Sequence, residues 1–156
     1  MTPSAAAAAA VSPGTVTDLQ ASVNGSTSVT LSFTQVDDGT GQPAKYNVRY
    51  AVAPISWGTA ASITSGTCTS PFTGTATAGQ LSCTVLGLTP ATNYNFQLVA
   101  FRGTMMLNAV YGGLSTVVSA TTTSSAPPPP VPVASVSVTP ASSTLEIGAT
   151  VQLQVS

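Results

Sequence analysis

Apolar and polar residues alternate with a period of two in short stretches that recur between residues 13 and 123. Such alternation places successive side chains on opposite faces of a strand, and Gly, Pro, Ser and Thr interrupt every candidate helical period. The seven stretches contain the following sets: Val16, Leu19 and Ala21; Val29, Leu31 and Phe33; Tyr46, Val48 and Tyr50; Trp57 to Ile63; Leu81, Cys83 and Val85; Tyr94, Phe96, Leu98 and Ala100; Val117 with Ser119 to Thr121. Seven short strands predict an all-β chain, folded as an antiparallel sandwich.

Composition divides the chain into four regions. Residues 1–12 are rich in alanine, and residues 13–123 carry the strand signals. Residues 124–132 are rich in proline, which is typical of a stiff polyproline II linker. Residues 133–156 form a short β tail that is too short to enclose a core of its own. The predicted organisation is therefore one sandwich, a Pro-rich linker and an incomplete second β segment.

Charged residues are scarce, with three Lys or Arg, four Asp or Glu and no His among 156 residues. A net charge of −1 cannot neutralise a run of phosphates, which argues against a nucleic-acid partner. The lack of histidine excludes the common zinc sites and a hydrolytic Ser-His-Asp triad. The sequence has no run of about 18 apolar residues, so we expect no membrane insertion. These features predict a non-catalytic protein without a metal or cofactor.

Three groups of motifs carry a family resemblance. The first group is Pro13 with Val16-Thr17-Asp18-Leu19, Ser28-Val29-Thr30-Leu31-Ser32-Phe33 and Tyr46-Asn47-Val48-Arg49-Tyr50. The second runs from Leu86-Gly87-Leu88-Thr89-Pro90 to Tyr94-Asn95-Phe96-Gln97-Leu98-Val99-Ala100, and the third from Gly113-Leu114-Ser115 to Ala120-Thr121-Thr122. Together they resemble a fibronectin type III domain: its front half, its E–F corner with strand F, and its strand G. Phe33 stands where the family usually has a buried Trp, so we expect different packing there.

The resemblance implies that Leu88, Pro90 and Tyr94 form the fold corner. We expect Leu88 to be buried at the turn between the sheets, and Pro90 to end strand pairing because its φ is fixed and it lacks an N–H. Tyr94 is then expected to pack its ring inward while its hydroxyl finds a backbone partner, as in a tyrosine corner. We therefore interpret Tyr94 as a fold residue rather than a site.

Cys68 and Cys83 are the two cysteines, and Pro71, Gly74 and Gly79 between them permit a chain reversal. A disulfide across this loop would contribute about 3 kcal/mol in the chain-entropy model. The alternative is two buried thiols in a cytosolic protein. The composition, poor in charge and rich in Ser and Thr, favours the disulfide and an extracellular or cell-surface location.

The tail is the second feature with a family resemblance. Residues 133–140 and 147–155 resemble the first two strands of a bacterial Ig-like domain of group 2. One predicted strand presents Val136 and Val138 on one face, and the other presents Val151, Leu153 and Val155. Uncharged apolar strands without partners invite pairing with another chain. The first hypothesis is therefore a structural subunit of an extracellular filament or surface assembly, in which the tail adds strands to a neighbouring copy, head to tail.

The second hypothesis is a spacer or an adhesive, glycan-binding module of a longer secreted, cell-surface or phage virion protein. Domains of the two families that the chain resembles often stand in tandem in such proteins. Exposed aromatic residues would then serve as stacking platforms for a glycan. The candidates are Trp57, Phe72 and Tyr111.

The predicted F–G loop begins with Arg102-Gly103-Thr104. Integrin-binding modules of the resembled family carry Arg-Gly-Asp in this loop, and Thr104 lacks the carboxylate that such binding requires. The apolar residues that follow, Met105, Met106 and Leu107, with Tyr111 close behind, form either an exposed contact patch or a loop folded back onto the sandwich. The sequence leaves both alternatives open.

Asp37 and Asp38 are the only adjacent acidic residues. A calcium site needs six or more oxygen ligands, and the spaced acidic pattern of a calcium-binding loop is missing. Asp and Gly favour turns, so we interpret residues 37–43 as a solvated turn.

Overall fold

The computed structural model describes residues 11–127, 138–139, 147–148, 150 and 154–155. The chain divides into two compact units, Met1–Ser125 and Ala126–Ser156. Within residues 11–127 the strands are β1 (Gln20–Val23), β2 (Ser28–Thr34), β3 (Lys45–Val52), β4 (Ala61–Ser62), β5 (Phe72–Thr73), β6 (Gln80–Leu86), β7 (Asn93–Arg102), β8 (Val110–Leu114) and β9 (Val118–Thr121). Every strand pairing is antiparallel, as predicted.

Two sheets make up the first unit. The smaller sheet has the order β1–β2–β6. The larger sheet is built on the pair β3–β7, with the short strands β4 and β5 on the free edge of β3, and with β8 and β9 on the free edge of β7. This arrangement confirms the predicted fibronectin type III-like sandwich, although two short strands, β5 and β8, were not among the seven predicted.

The core lies between the two sheets because apolar residues alternate along β2, β3, β6 and β7. Phe33 of β2 and Tyr46 of β3 are fully buried and meet edge to face, with ring centroids 4.8 Å apart. The Tyr46 hydroxyl accepts a hydrogen bond of 2.9 Å from the Val36 backbone N–H. Burial raises the pKa of Tyr46, since the charged phenolate would lose its hydration. A phenylalanine–tyrosine pair therefore lies in the core at the Phe33 position.

The predicted disulfide between Cys68 and Cys83 is confirmed. Cys83 lies in β6, and Cys68 lies in the segment that runs beside it, where the Cys68 N–H donates to the Thr84 carbonyl at 3.2 Å. Gly66 makes this approach possible: its φ is +96°, and a Cβ there would lie 2.1 Å from the Thr84 oxygen. The bridge therefore ties a strand-free segment to the smaller sheet.

The three predicted corner residues lie around the start of β7. Leu88 and Tyr94 are buried, and Pro90 stands in the turn between them. The Tyr94 hydroxyl accepts a hydrogen bond of 3.0 Å from the Thr89 backbone N–H. None of the strands that the structure describes pairs with the loop between β6 and β7. The hydrogen bond to the Tyr94 side chain helps to close this loop instead.

Gln35 holds a second loop, and nothing in the sequence pattern indicated this role. Its side chain is 2% exposed, and its Oε1 accepts hydrogen bonds from the backbone N–H groups of Thr75 (2.5 Å) and Ala76 (3.3 Å). Its own backbone N–H donates to the Gly79 carbonyl at 2.7 Å. One residue at the end of β2 thus satisfies much of the backbone of residues 74–79.

Two strand predictions need correction at their ends. Val16 and Leu19 are buried as expected, but β1 begins only at Gln20, because the Asp18 carboxylate accepts the Thr34 N–H at 3.0 Å where a strand would otherwise pair. The stretch from Trp57 to Ile63 is mostly a turn, and only Ala61–Ser62 pair with β3.

Strand G is interrupted. Both β8 and β9 pair with β7, but residues 115–117 leave the ladder between them. Ser115 turns its hydroxyl inward, where it accepts the Leu98 backbone N–H at 3.0 Å, and its own N–H donates to the Leu98 carbonyl at 2.8 Å. A single buried serine therefore connects the two halves of the edge strand to β7.

The first described residue of the sandwich lies near one end of β7, and the chain leaves the sandwich near the other end. Near the entry, Arg102 Nη1 donates to the Val11 carbonyl at 2.5 Å. Near the exit, Asn93 pairs with Thr121, and the Thr123 N–H donates to the Gly25 carbonyl at 3.2 Å. The ten residues of β7 separate these ends by about 30 Å at about 3.3 Å per residue.

In the second unit, β10 (Val138–Thr139) pairs antiparallel with β11 (Gln154–Val155). Val138 is directly opposite Val155. Three of the predicted self-association residues, Val136, Val151 and Leu153, lie outside the described residues. The resemblance of this segment to a bacterial Ig-like domain stays a prediction.

Candidate functional site

A pocket of about 320 Å³ opens on the outer face of the larger sheet, the face turned away from the core. Side chains alternate along β3, so Tyr46 and Val48 point into the core while Asn47 and Arg49 point outward. Register then places Asn47 beside Val99 of β7, and Val99 beside Leu114 of β8. We call this concavity the outer-face pocket; it is lined by Asn47, Arg49, Trp57, Val99, Met105, Met106, Tyr111, Gly112 and Leu114.

One wall of the outer-face pocket comes from the loop after β3. The Arg49 guanidinium carbon lies 4.9 Å from the centre of the Trp57 ring, in cation–π contact. Arg49 Nη1 also donates to the Trp57 carbonyl at 2.7 Å. These two contacts attach the loop to the sheet and leave the indole half-buried.

The opposite wall comes from the F–G loop. Asn108 closes this loop: its Oδ1 accepts the Thr104 N–H at 2.8 Å, and its own N–H donates to the Thr104 carbonyl at 3.1 Å. Met106 is 100% exposed and Leu107 is 82% exposed, whereas Met105 is half-buried. Of the two alternatives for this loop, the structure has an exposed apolar tip.

Phe101 supports the base of the F–G loop from below. It lies on the outer face yet is fully buried, and its ring centroid lies 5.7 Å from that of Tyr111, which is partly exposed. Val99 is also buried outside the main core. A second, smaller apolar cluster therefore underlies the outer-face pocket.

Two buried polar atoms near this cluster lack a hydrogen-bond partner. They are Asn47 Oδ1 and Arg49 Nε, and no others of this kind are found in the part of the chain that the structure describes. Asn47 is 2% exposed. An unpaired buried acceptor or donor costs about 1–3 kcal/mol, which a ligand group that pairs with it would recover.

All three cations of the chain donate to backbone carbonyls. Lys45 Nζ donates to the Gly103 oxygen at 2.8 Å, Arg49 to the Trp57 oxygen, and Arg102 to the Val11 and Asp38 oxygens. Arg49 is the one charged residue that lines the outer-face pocket, and no acid lies beside it in the lining. The pocket is therefore weakly cationic.

Asp37 and Asp38 accept hydrogen bonds within the turn that they begin. The Asp37 carboxylate accepts the Gly39 N–H at 2.6 Å, and the Asp38 carboxylate accepts the Thr40 hydroxyl at 2.6 Å. The Thr40 hydroxyl hydrogen bond lowers the pKa of Asp38.

Within residues 11–127 and the other described positions, no group of three or more His, Cys, Asp or Glu is placed to hold a metal ion. The same residues contain no helix long and apolar enough to cross a membrane.

Residues of both walls of the outer-face pocket were predicted from the sequence as contact residues, and its floor was not. The predicted contact residues Met105, Met106 and Tyr111 line it, and Leu107 lies at the tip beside them. Of the proposed glycan platforms, Trp57 carries Arg49 on its ring, and Phe72 packs against Tyr46 with centroids 5.5 Å apart. The alternation along β3 indicated only that Asn47 and Arg49 face outward, and no sequence signal indicated that Val99 and Leu114 lie beside them.

The family match lies within the first unit. A family model described as "Fibronectin type III domain" matches residues 14–108. The search of curated proteins finds no significant match.

The solved structures that match include the chicken CNTN1 FN1–FN3 domains, which share 20% identity with this chain, at a TM-score of 0.49 over 70% of it and 32% of the other. Domains A168–A170 from titin share 18%, at a TM-score of 0.48 over 72% of this chain and 32% of the other. The sensor domain of the anti-sigma factor RsgI4 in Pseudobacteroides cellulosolvens shares 19%, at a TM-score of 0.45 over 91% and 99%. The chain thus spans about a third of the first two.

Proposed function

Because the chain belongs to the fibronectin type III family, whose members are modules of extracellular and adhesion proteins, we propose that it is a non-catalytic adhesive module that binds through the outer-face pocket. The family and the disulfide indicate an extracellular or surface protein. The fold is typically a structural module without catalytic activity. The proposal therefore concerns what the module contacts.

One observation carries the proposal: an open apolar pocket lies between two loops that are each held in place by specific contacts. Arg49 attaches the Trp57 loop, and Asn108 closes the F–G loop. Met106 and Leu107 remain exposed at the rim, which is unusual for a loop that serves only as a connection. Pre-formed walls reduce the entropy that binding must overcome.

The test uses the full chain as bait for two probes, a displayed library of random linear peptides and a glycan array. Amide chemical shifts of the labelled chain then locate each binder. We expect binders to shift the amides of Val99 and Leu114 and to lose affinity on the double variant Met106→Ser, Leu114→Ser. Val52→Ser is the matched control, since Val52 is also exposed but does not line the pocket. Binders that all map elsewhere, or no binders, would refute the proposal.

Strand addition between copies is a second candidate function. It is supported by the pairing of β10 with β11, because a ribbon of two such short strands is marginally stable by itself and gains from further strands. The net charge of −1 gives little repulsion between copies. Sedimentation and negative-stain microscopy of the full chain and of a chain truncated after Thr123 test it. We expect filaments from the full chain alone, and filaments from both would rule the tail out as the connector.

A further inference from the structure

The two unpartnered atoms restrict the ligand chemistry that suits the outer-face pocket. Asn47 Oδ1 is an acceptor and Arg49 Nε–H is a donor, and the two residues stand two positions apart on β3. A residue in extended conformation presents its own N–H and C=O toward the same side, as paired strands do. A peptide backbone therefore offers the donor and the acceptor that this pair lacks.

The apolar walls of the outer-face pocket require that the ligand also carries an apolar side chain. Val99 and Leu114 lie on the floor, and Met105, Met106 and Tyr111 form one side. A volume of about 320 Å³ is at the small end of the range for ligand pockets, suited to one large side chain rather than to a long ligand. Methionine is unbranched and adapts to different apolar shapes, so the rim can move to admit a ligand to the buried pair.

A glycan fits these observations less well. Sugar recognition by stacking needs an open aromatic face. The Trp57 ring already carries the Arg49 guanidinium, and the Tyr111 ring packs against Phe101. Apart from Asn47 and Arg49, the side chains that remain in the lining are aliphatic and thioether groups, so most hydroxyls of a sugar bound there would lose their hydrogen bonds to water without replacement.

Resting on the proposed function, we propose that the outer-face pocket binds an extended peptide segment of a partner protein through one large apolar side chain. The N–H of the anchoring residue donates to Asn47 Oδ1, and its C=O accepts from Arg49 Nε–H. Because Arg49 is the one charge in the lining, the segment carries no Lys or Arg next to its anchor.

The experiment begins with the peptides selected from the displayed library on the full chain. They are expected to share one large apolar residue and to lack a neighbouring cation. Each peptide is then made with an N-methyl group on the anchoring residue, which removes the N–H donor, and in a control form with the N-methyl group one position away.

Affinities of the three peptides are measured on the wild-type chain and on Asn47→Leu. On the wild type we expect N-methylation of the anchor to weaken binding about tenfold, the range for one hydrogen bond, and the control to change it little. On Asn47→Leu we expect the same N-methylation to cause little further loss of affinity, because the acceptor is already missing. Equal losses on both proteins would overturn the backbone contact. Asn47→Ala, which also lacks a side-chain acceptor, replaces Asn47→Leu if the latter does not fold.

The two proposals fail in different ways. Glycan binders that map to the outer-face pocket, without peptide binders, would leave the proposed function standing and overturn the peptide inference. Peptides without an apolar anchor would do the same. The absence of any binder in the pocket would overturn both.

Discussion

Reduction of the Cys68–Cys83 bridge is expected to lower the free energy of unfolding by about 3 kcal/mol. The two residues are separated by 15 positions. Closing a loop of that size lowers the conformational entropy of the unfolded chain, and the lost entropy corresponds to this free energy. Other contacts hold the same segment, including the hydrogen bond of 2.8 Å from the Thr84 N–H to the Thr67 hydroxyl. The reduced chain should therefore still fold, with a melting temperature roughly 12 °C lower for a unit of this size.

The double variant Cys68→Ala, Cys83→Ala separates the contribution of the disulfide to the free energy of unfolding from the contribution of side-chain packing. Both cysteines are buried, so each truncation removes about one methylene-sized group, worth about 0.8 kcal/mol. We expect the variant to lie about 1.6 kcal/mol below the reduced wild type, and reductant should not affect it. Urea unfolding followed by the fluorescence of Trp57, the single tryptophan, measures all three states. A difference under about 1 kcal/mol between oxidised and reduced wild type would refute the reasoning.

Three further substitutions test contacts that hold the sandwich. Tyr94→Phe leaves the Thr89 N–H without its acceptor and should cost about 1–2 kcal/mol in urea unfolding, while an unchanged midpoint would contradict a stabilising corner. Gln35→Ala should cost more, about 2–4 kcal/mol, because two backbone N–H groups lose one acceptor; faster proteolysis within residues 74–79 is the accompanying sign. Hydrogen bonds from Thr34, its hydroxyl first, lower the pKa of Asp18, so Asp18 contributes stability above about pH 4 that is lost as the pH falls through its lowered pKa. Thr34→Val should raise that pKa in an NMR titration, and a midpoint that does not move would contradict this account.

The long strands could be predicted because their pattern is local. In β2, β3, β6 and β7, apolar residues alternate with polar ones over six or seven positions, and burial on one face follows directly. The strand on the edge of β7, β8, was harder to predict, since Gly112 and Gly113 lack the side chains that would reveal alternation. The start of β1 could not be predicted either, because the Asp18 carboxylate rather than a backbone carbonyl accepts the Thr34 N–H.

The candidate site depends on contacts between residues far apart in sequence. Met105, Met106 and Tyr111 stand together in one apolar stretch and were predicted as a contact loop. Asn47 and Val99 become neighbours only through the register of β3 against β7. Nothing in the alternation of β3 indicates that an outward polar residue will be buried without a partner, because the F–G loop that lies beside it starts more than fifty positions later.

The positions of the chain entry and exit have a mechanical consequence. A load applied at Val11 and Thr123 acts at opposite ends of β7, along the direction of the strands. The load then pulls β9 along its own axis, so its hydrogen bonds to β7 are sheared together rather than peeled apart one after another. A module held in this way resists extension as long as that ladder survives.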